Sequence, residues 1–436
     1  MGLAIFTRNS MAPIRSPATP AVLVPSLAVV VLALLVGLST LSTKLAGLIL
    51  FAVLAAGVVV RLRQPLAAPV DAVLRAWMIT ACGAFVLQAA ATLWWRDSWG
   101  SRHFEVRLLL SALALWLFMP RVVIRDRHKA WLMHGMAAAC WAGLGLTWVY
   151  ERDTPTNPIP WAAGLSFMAC VLAARCLQGG RPVSALRWFW MLSAVAGLGG
   201  VILSQSRGSF GLAPWLGVLA ALLVWQSLRG QQAASRVGWG LAGLLALVLV
   251  VLAMVPRLYQ GPLERIQTAH REWGSLVQAI ETSTVTPQVL DTSVGARLFL
   301  YIEGWKAISQ SPVAGHGERQ RQAWVKDLGR RSGSQVIESL DHLHSDPLSR
   351  WFDHGLLGMA SYTVSVLGLL WLAWRARSQG PGMALGFVGL AWMHGSTGLT
   401  NMNTLHNYYG VMLSLGVMLV FLLQSPASGP SDTSTP

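Results

Sequence analysis

The chain has 436 residues, of which 54% are hydrophobic and only 12% charged, with a mean hydropathy of +0.51 and a net charge of +15. These values exclude an ordinary soluble domain, which carries roughly a quarter charged residues and has a single core that stops growing near about 250–300 residues. Lipid is the expected solvent for most of the chain, and the basic excess, lodged in short loops between apolar runs, points to topology and anionic headgroups rather than to nucleic acid.

In chain order, residues 1–20 read as a short basic cytoplasmic tail carrying Arg8 and Arg15. No small-residue cleavage site follows the first apolar run, so that run is expected to be a retained helix rather than a signal peptide. Runs long enough to span the hydrocarbon fall near 21–38, 42–60, 72–94, 104–119, 130–150, 159–177, 185–204, 208–228 and 236–256, then near 346–374, 382–400 and 406–424. The expectation is an all-α polytopic membrane protein of about twelve transmembrane helices, with spans one to nine in residues 21–256 and spans ten to twelve in residues 346–424. The Pro/Ser/Thr-rich segment 425–436 reads as a disordered cytoplasmic tail. The four cysteines lie in or at the end of apolar runs, so neither a disulfide framework nor a zinc site is expected.

Lys and Arg orient the spans. With the N-terminus inside, the inner segments hold sixteen basic residues and the short outer turns hold six. Both termini are then cytoplasmic, and the polar stretch 257–345 faces the periplasm. That stretch is too long for a simple turn, and structureless loops of its length are uncommon unless functional. Within it, Leu263, Ile266, Trp273, Val277 and Ile280 recur at helical spacing, as do Leu298, Tyr301, Trp305 and Ile308. Two amphipathic helices lying on the outer membrane face fit this pattern; two helices packed on the bundle fit it equally well.

Three groups of outer residues carry candidate chemistry. Arg207 lies in the tight turn Leu203-Ser-Gln-Ser-Arg-Gly-Ser-Phe210, where Gly208 allows a ligand or another backbone to approach closely. A guanidinium there is a planar fork for phosphate, or else an arginine reaching lipid headgroups. Arg297 opens the second amphipathic segment, Gly295-Ala-Arg-Leu-Phe-Leu-Tyr301; alone, it also reads as a solvated helix charge. Asp341-His-Leu-His-Ser-Asp346 stands where the loop meets the tenth span. Either His342 or His344 can accept a proton from a hydroxyl, which implies a rate that rises with pH through the imidazole titration. The plainer alternative is a polar helix cap built on Ser345 and Asp346. The segments expected outside contain no Asp-x-Asp pair and no further His/Cys cluster, so a metal is not expected. His406-Asn-Tyr-Tyr409, at the start of the last span, reads as part of an aromatic belt.

A site on the outer face has no ATP, so its energy must come from the substrate, for example a lipid-linked pyrophosphate. The combination of features resembles a known family. They are the many spans, the Ser-Arg-Gly turn, the large late loop, an Arg followed by Trp305 and then Ser311-Pro-Val-Ala-Gly-His-Gly317, and His342-Leu-His344 ahead of Gly355-Leu-Leu-Gly358. The pattern is similar to that of the O-antigen ligase and polymerase superfamily, and within it to the ligases. The resemblance implies a glycosyltransferase-C-like helical fold and transfer of a polysaccharide from undecaprenyl pyrophosphate to a sugar hydroxyl of lipid A–core, with inversion and with no metal or cofactor. It further implies that His344, Arg207 and Arg297 are catalytic, and that His342, Arg207 and Arg297 bind substrate. Ser345 stands where family members usually carry Asn. O-antigen polymerase and a lipid-linked-glycan transporter are the competing readings.

Overall fold

The computed structural model describes residues 22–23, 26–63, 70–98, 103–177, 185–229 and 257–423. The expected tails 1–20 and 425–436 and the expected span 236–256 lie outside the described residues. The helices are α1 (Ser26–Leu38), α2 (Thr43–Arg63), α3 (Ala72–Trp95), α4 (His103–Phe118), α5 (Asp126–Tyr150), α6 (Pro158–Cys176), α7 (Ala185–Leu203) and α8 (Leu212–Arg229). Then come α9 (Arg257–Glu281), α10 (Ser293–Gln310), α11 (Glu318–Ser332), α12 (Asp346–Ala376), α13 (Pro381–Thr400) and α14 (Asn407–Leu422). Two two-residue strands, Val22–Leu23 and Val122–Val123, pair in parallel.

Among the described residues, seven helical segments are long and apolar enough to cross a membrane, and α1 and α14 are apolar but shorter. The chain is therefore a polytopic all-α membrane protein. Helices stand at eleven of the twelve expected spans.

The helices α6 and α14 form the centre. Each is apolar all round, as a buried helix must be, and every residue of α14 from Tyr408 to Leu422 is buried. Around them pack α2 and α4, α5 and α7, and α13. The Asn157 side chain caps the start of α6 by accepting from the Ile159 N–H at 3.0 Å, with Pro158 at the first helical position.

The loop of residues 257–345 folds on a small core of Leu276, Leu290, Leu300, Ile308, Val325 and Leu343, which Phe352 of α12 joins. The two amphipathic segments behave differently. In α10, Ile308 is buried and Leu298 packs against that core, so this helix follows the packed reading. In α9, Leu276 and Ala279 turn inward, while Leu263, Ile266, Trp273 and Ile280 stay exposed, Ile266 at 60%. An apolar stripe left open in this way fits a helix lying on lipid.

The helix α12 breaks inside its first half. Gly355 takes φ 57° and ψ −142°, and the segment Val313–Gly317 satisfies the backbone groups that the break releases. His316 N–H donates to the Phe352 carbonyl at 2.7 Å and Gly317 N–H to the Asp353 carbonyl at 2.8 Å, while Leu356 N–H donates to the Val313 carbonyl at 3.1 Å. A Cβ on Gly355 would run into the Val313 carbonyl, so only glycine fits. The two glycine-bearing motifs of the sequence, 311–317 and 355–358, are thus two halves of one joint that locks the loop to the bundle.

Candidate active site

The first wall of the site is the turn after α7. Gln205 reverses the chain at φ 57°, the Ser206 hydroxyl donates to the Pro158 carbonyl at 2.8 Å, and residues Arg207–Gly211 form one 3-10 turn. Gly208 lies against the end of α13, where an added Cβ would collide with the Thr400 hydroxyl. The close approach anticipated at this glycine is therefore made by α13. Trp392 Nε1 donates to the Gly211 carbonyl at 2.8 Å and pins the other side of the turn. Clamped between α6 and α13, Arg207 stands half-buried.

The second wall comes from the loop. Thr292 caps α10 by accepting from the Gly295 N–H at 3.0 Å, and Glu272 of α9 accepts from the Val294 N–H at 3.0 Å. Arg297 follows within the first turns of α10, also half-buried. A cavity of about 420 Å³ lies between these walls, lined by Arg207, Arg297, Arg152, Glu264, Thr268 and Thr400 among others. Three guanidiniums face one carboxylate there, so the cavity carries a positive field suited to an anion. Burial lowers the Arg297 pKa, and the Arg207 charge beside it lowers it further. The arginine remains protonated in any case, so the two cations repel each other across the cavity.

His344 is not among the residues that line this cavity, but it lies within reach of the Arg297 charge. Leu343 is sunk in the loop core, and His344 takes a left-handed φ of 51°. That conformation is costly for a side chain other than glycine and tends to persist where surrounding contacts impose it. Here Tyr301, on α10 beyond Arg297, donates to the His344 carbonyl at 2.8 Å. His344 Nδ1 lies 3.1 Å from Asn401 Oδ1, just past α13. The His342 ring lies tilted by 49° against His344 with centroids 4.2 Å apart, and its Nδ1 is 3.2 Å from Asp341 Oδ1. Burial, then His342 and Arg297, pull the His344 pKa down to about 3. The imidazole is therefore neutral at physiological pH, and the titration expected near neutrality from the sequence moves far into acid. Ser345 does occupy the cap position of α12, but its side chain makes no capping bond.

A set of buried charges holds the frame. Arg350 of α12 reaches Glu105 of α4 at 2.5 Å, Gln88 of α3 at 2.8 Å and the Thr404 hydroxyl at 3.1 Å. His354 Nε2 lies 3.0 Å from Asp97, and Arg321 of α11 pairs with Asp353. Asp346 accepts from the backbone N–H groups of Asn403 and Thr404, each at 3.1 Å. Charges in apolar runs are expensive unless paired, and these link α3, α4, α11 and α12 at the end of the bundle where the cavity opens.

The structure thus brings Arg207 and Arg297 onto one cavity and sets His344 near Arg297 but off the cavity lining, with His342 alongside. The aromatic-belt reading of residues 406–409 is corrected. Tyr408 and Tyr409 are buried, and the Tyr409 hydroxyl lies 2.8 Å from His394 Nδ1 and 3.0 Å from the Thr397 hydroxyl. Sequence reading missed Arg152, Tyr301, Asn401, Asn403 and the buried charges. Ionisable residues inside apolar runs, such as Glu105, Arg350 and Asp353, were the available signal. Among the described residues, no three His, Cys, Asp or Glu side chains gather as a metal centre.

A comparison with curated proteins finds no match to the chain. The family model described as O-antigen ligase matches residues 192–363, a segment that holds Arg207, Arg297, His342 and His344. On that match, residues 192–363 are similar to the O-antigen ligase family, whose members are glycosyltransferase-like membrane enzymes.

Proposed function

We propose that the chain is an O-antigen ligase. It transfers polysaccharide from undecaprenyl pyrophosphate to a sugar hydroxyl of lipid A–core, on the periplasmic face of the inner membrane, with both termini in the cytoplasm. The observation that carries this reading is the shared cavity of Arg207 and Arg297, with the neutral, half-buried imidazole of His344 near enough to Arg297 to feel its charge. The arginines grip the donor pyrophosphate and neutralise the charge that grows on it as the glycosidic bond breaks. His344 takes the proton of the acceptor hydroxyl as that oxygen attacks the anomeric carbon, with inversion and without a metal or cofactor. His342 shapes the acceptor side. When the bound pyrophosphate offsets the Arg297 charge, its depressing effect on His344 is relieved, so donor binding makes the base stronger.

The test is transfer by purified protein in detergent, supplied with lipid-linked glycan and lipid A–core. The expected product is glycan on lipid A–core, and His344→Ala is expected to reduce the rate strongly while donor binding persists. Joining of lipid-linked repeats to one another would identify a polymerase instead. Lipid movement across vesicles without transfer would overturn the enzymatic reading.

A further inference from the structure

We propose that Asn401 and Asn403 are positioning residues that hold His344 in the tautomer with its proton on Nδ1, which makes Nε2 the atom that accepts the hydroxyl proton. This rests on the reading of His344 as the base.

The argument starts from a group with no choice. The Thr397 backbone carbonyl can only accept, so the nitrogen of the Asn403 amide, 3.0 Å away, must be the atom that faces it. The oxygen of Asn403 then faces Asn401, so at 3.1 Å the Asn401 nitrogen donates to it. That leaves Asn401 Oδ1 toward His344, and at 3.1 Å an amide oxygen can meet Nδ1 only if Nδ1 carries the proton. Each step is settled by the previous one, so the tautomer is read from the network.

The relay is itself held in place. Asn401 and Asn403 are buried, and the carboxylate of Asp346 accepts the backbone N–H of Asn403 and of Thr404. Tyr301 holds the His344 backbone from the other side, donating also toward the Leu399 carbonyl at 3.1 Å. Among the described residues, Nε2 of His344 makes no hydrogen bond. The ring therefore has one nitrogen anchored and one with its lone pair free.

In the step itself, the acceptor hydroxyl proton passes to Nε2 while the hydroxyl oxygen bonds to the anomeric carbon. The bond from that carbon to the pyrophosphate oxygen breaks, and the electron pair leaves with the pyrophosphate. The imidazolium then returns its proton to the leaving pyrophosphate or to water. An amide is suited to this place because it orients the ring without adding an anion. The charged and titratable groups that face His344 are His342 and Asp341 on its own segment, with Arg297 and Tyr301 from α10.

The experiment compares pH profiles of kcat/KM for the full-length protein, Asn401→Asp, Asn401→Ala and His344→Ala, together with the ¹⁵N-histidine spectrum of the wild type. Asn401→Asp places an anion at Nδ1, which favours the imidazolium and moves the acid limb of the profile to higher pH. Asn401→Ala is expected to lower kcat by roughly 10- to 100-fold, the range seen when the outer partner of an oriented imidazole is removed, with the donor KM unchanged. The wild-type spectrum is expected to show His344, identified by its loss in His344→Ala, protonated at Nδ1. A proton on Nε2, or superimposable profiles and rates for wild type and both Asn401 variants, overturns the relay. The spectrum stands even if an Asn401 variant fails to fold. Full activity in His344→Ala overturns instead the reading of His344 as the base.

Discussion

Replacing Arg297 with lysine keeps the charge in the cavity and removes the fork. If Arg297 grips the donor pyrophosphate through two parallel hydrogen bonds, lysine forfeits at least one of them. A charge-assisted hydrogen bond contributes about 1.5–3 kcal/mol, and each 1.36 kcal/mol is about tenfold in rate. Arg297→Lys is therefore expected to lower kcat/KM about 10- to 150-fold, and Arg207→Lys, which stands half-buried on the opposite wall, by a similar factor. Arg152 lines the same cavity but is exposed. An exposed ion pair is worth about 0.2–1 kcal/mol, so Arg152→Lys should lose at most about fivefold. Stability should move the other way. The cavity sets Arg207 and Arg297 as neighbouring cations, so Arg297→Met relieves repulsion and should leave the donor-free Tm unchanged or raised. The assay is initial-rate transfer by purified protein at varied donor concentration, with Tm read on the same preparations. Near-normal transfer by both Arg207→Lys and Arg297→Lys would refute the grip, as would a loss of activity that tracks a loss of folded protein.

Other perturbations have equally definite outcomes. Because the His344 pKa lies near 3 in the folded protein and an unperturbed imidazole titrates at about 6.5, the wild-type rate should show no imidazole titration between about pH 5 and 8. The unfolded chain takes up that proton between pH 6.5 and about 3 while the folded protein does not. His344 thus weakens the fold as pH falls through that window, and His344→Ala should flatten this part of the dependence of Tm on pH. Arg321→Leu removes the guanidinium paired with Asp353; breaking a buried pair costs about 3–5 kcal/mol, and Arg321→Leu with Asp353→Leu should recover much of that Tm loss. Cysteine at Ser275, exposed on α9, should react with an impermeant thiol reagent once the outer membrane is opened. Labelling only after inner-membrane lysis would reverse the topology.

Composition and hydropathy alone determined that this chain is a bundle of membrane helices. A bilayer demands about 20 apolar residues per span and tolerates no unpaired backbone, so local sequence fixes the elements. The motifs 204–210, 311–317, 342–344 and 355–358 were also legible, because Gly, Arg and His stand out against an apolar background. Their partnerships were not. Gly355 reads as an ordinary helix glycine until Val313–Gly317 is laid across the break, and Arg207 and Arg297 are 90 residues apart in the chain yet line one cavity. Periodicity gave α9 and α10 the same apolar stripe, but packing drew Leu298 and Ile308 of α10 onto the loop core and left most of the α9 stripe open. Asn401 and Asn403 carry no sequence motif that marks them out. Their meaning is a direction of hydrogen bonding, from His344 through two amides to the carbonyl of Thr397. Such a direction depends on which atoms face each other, and only the tertiary structure decides that.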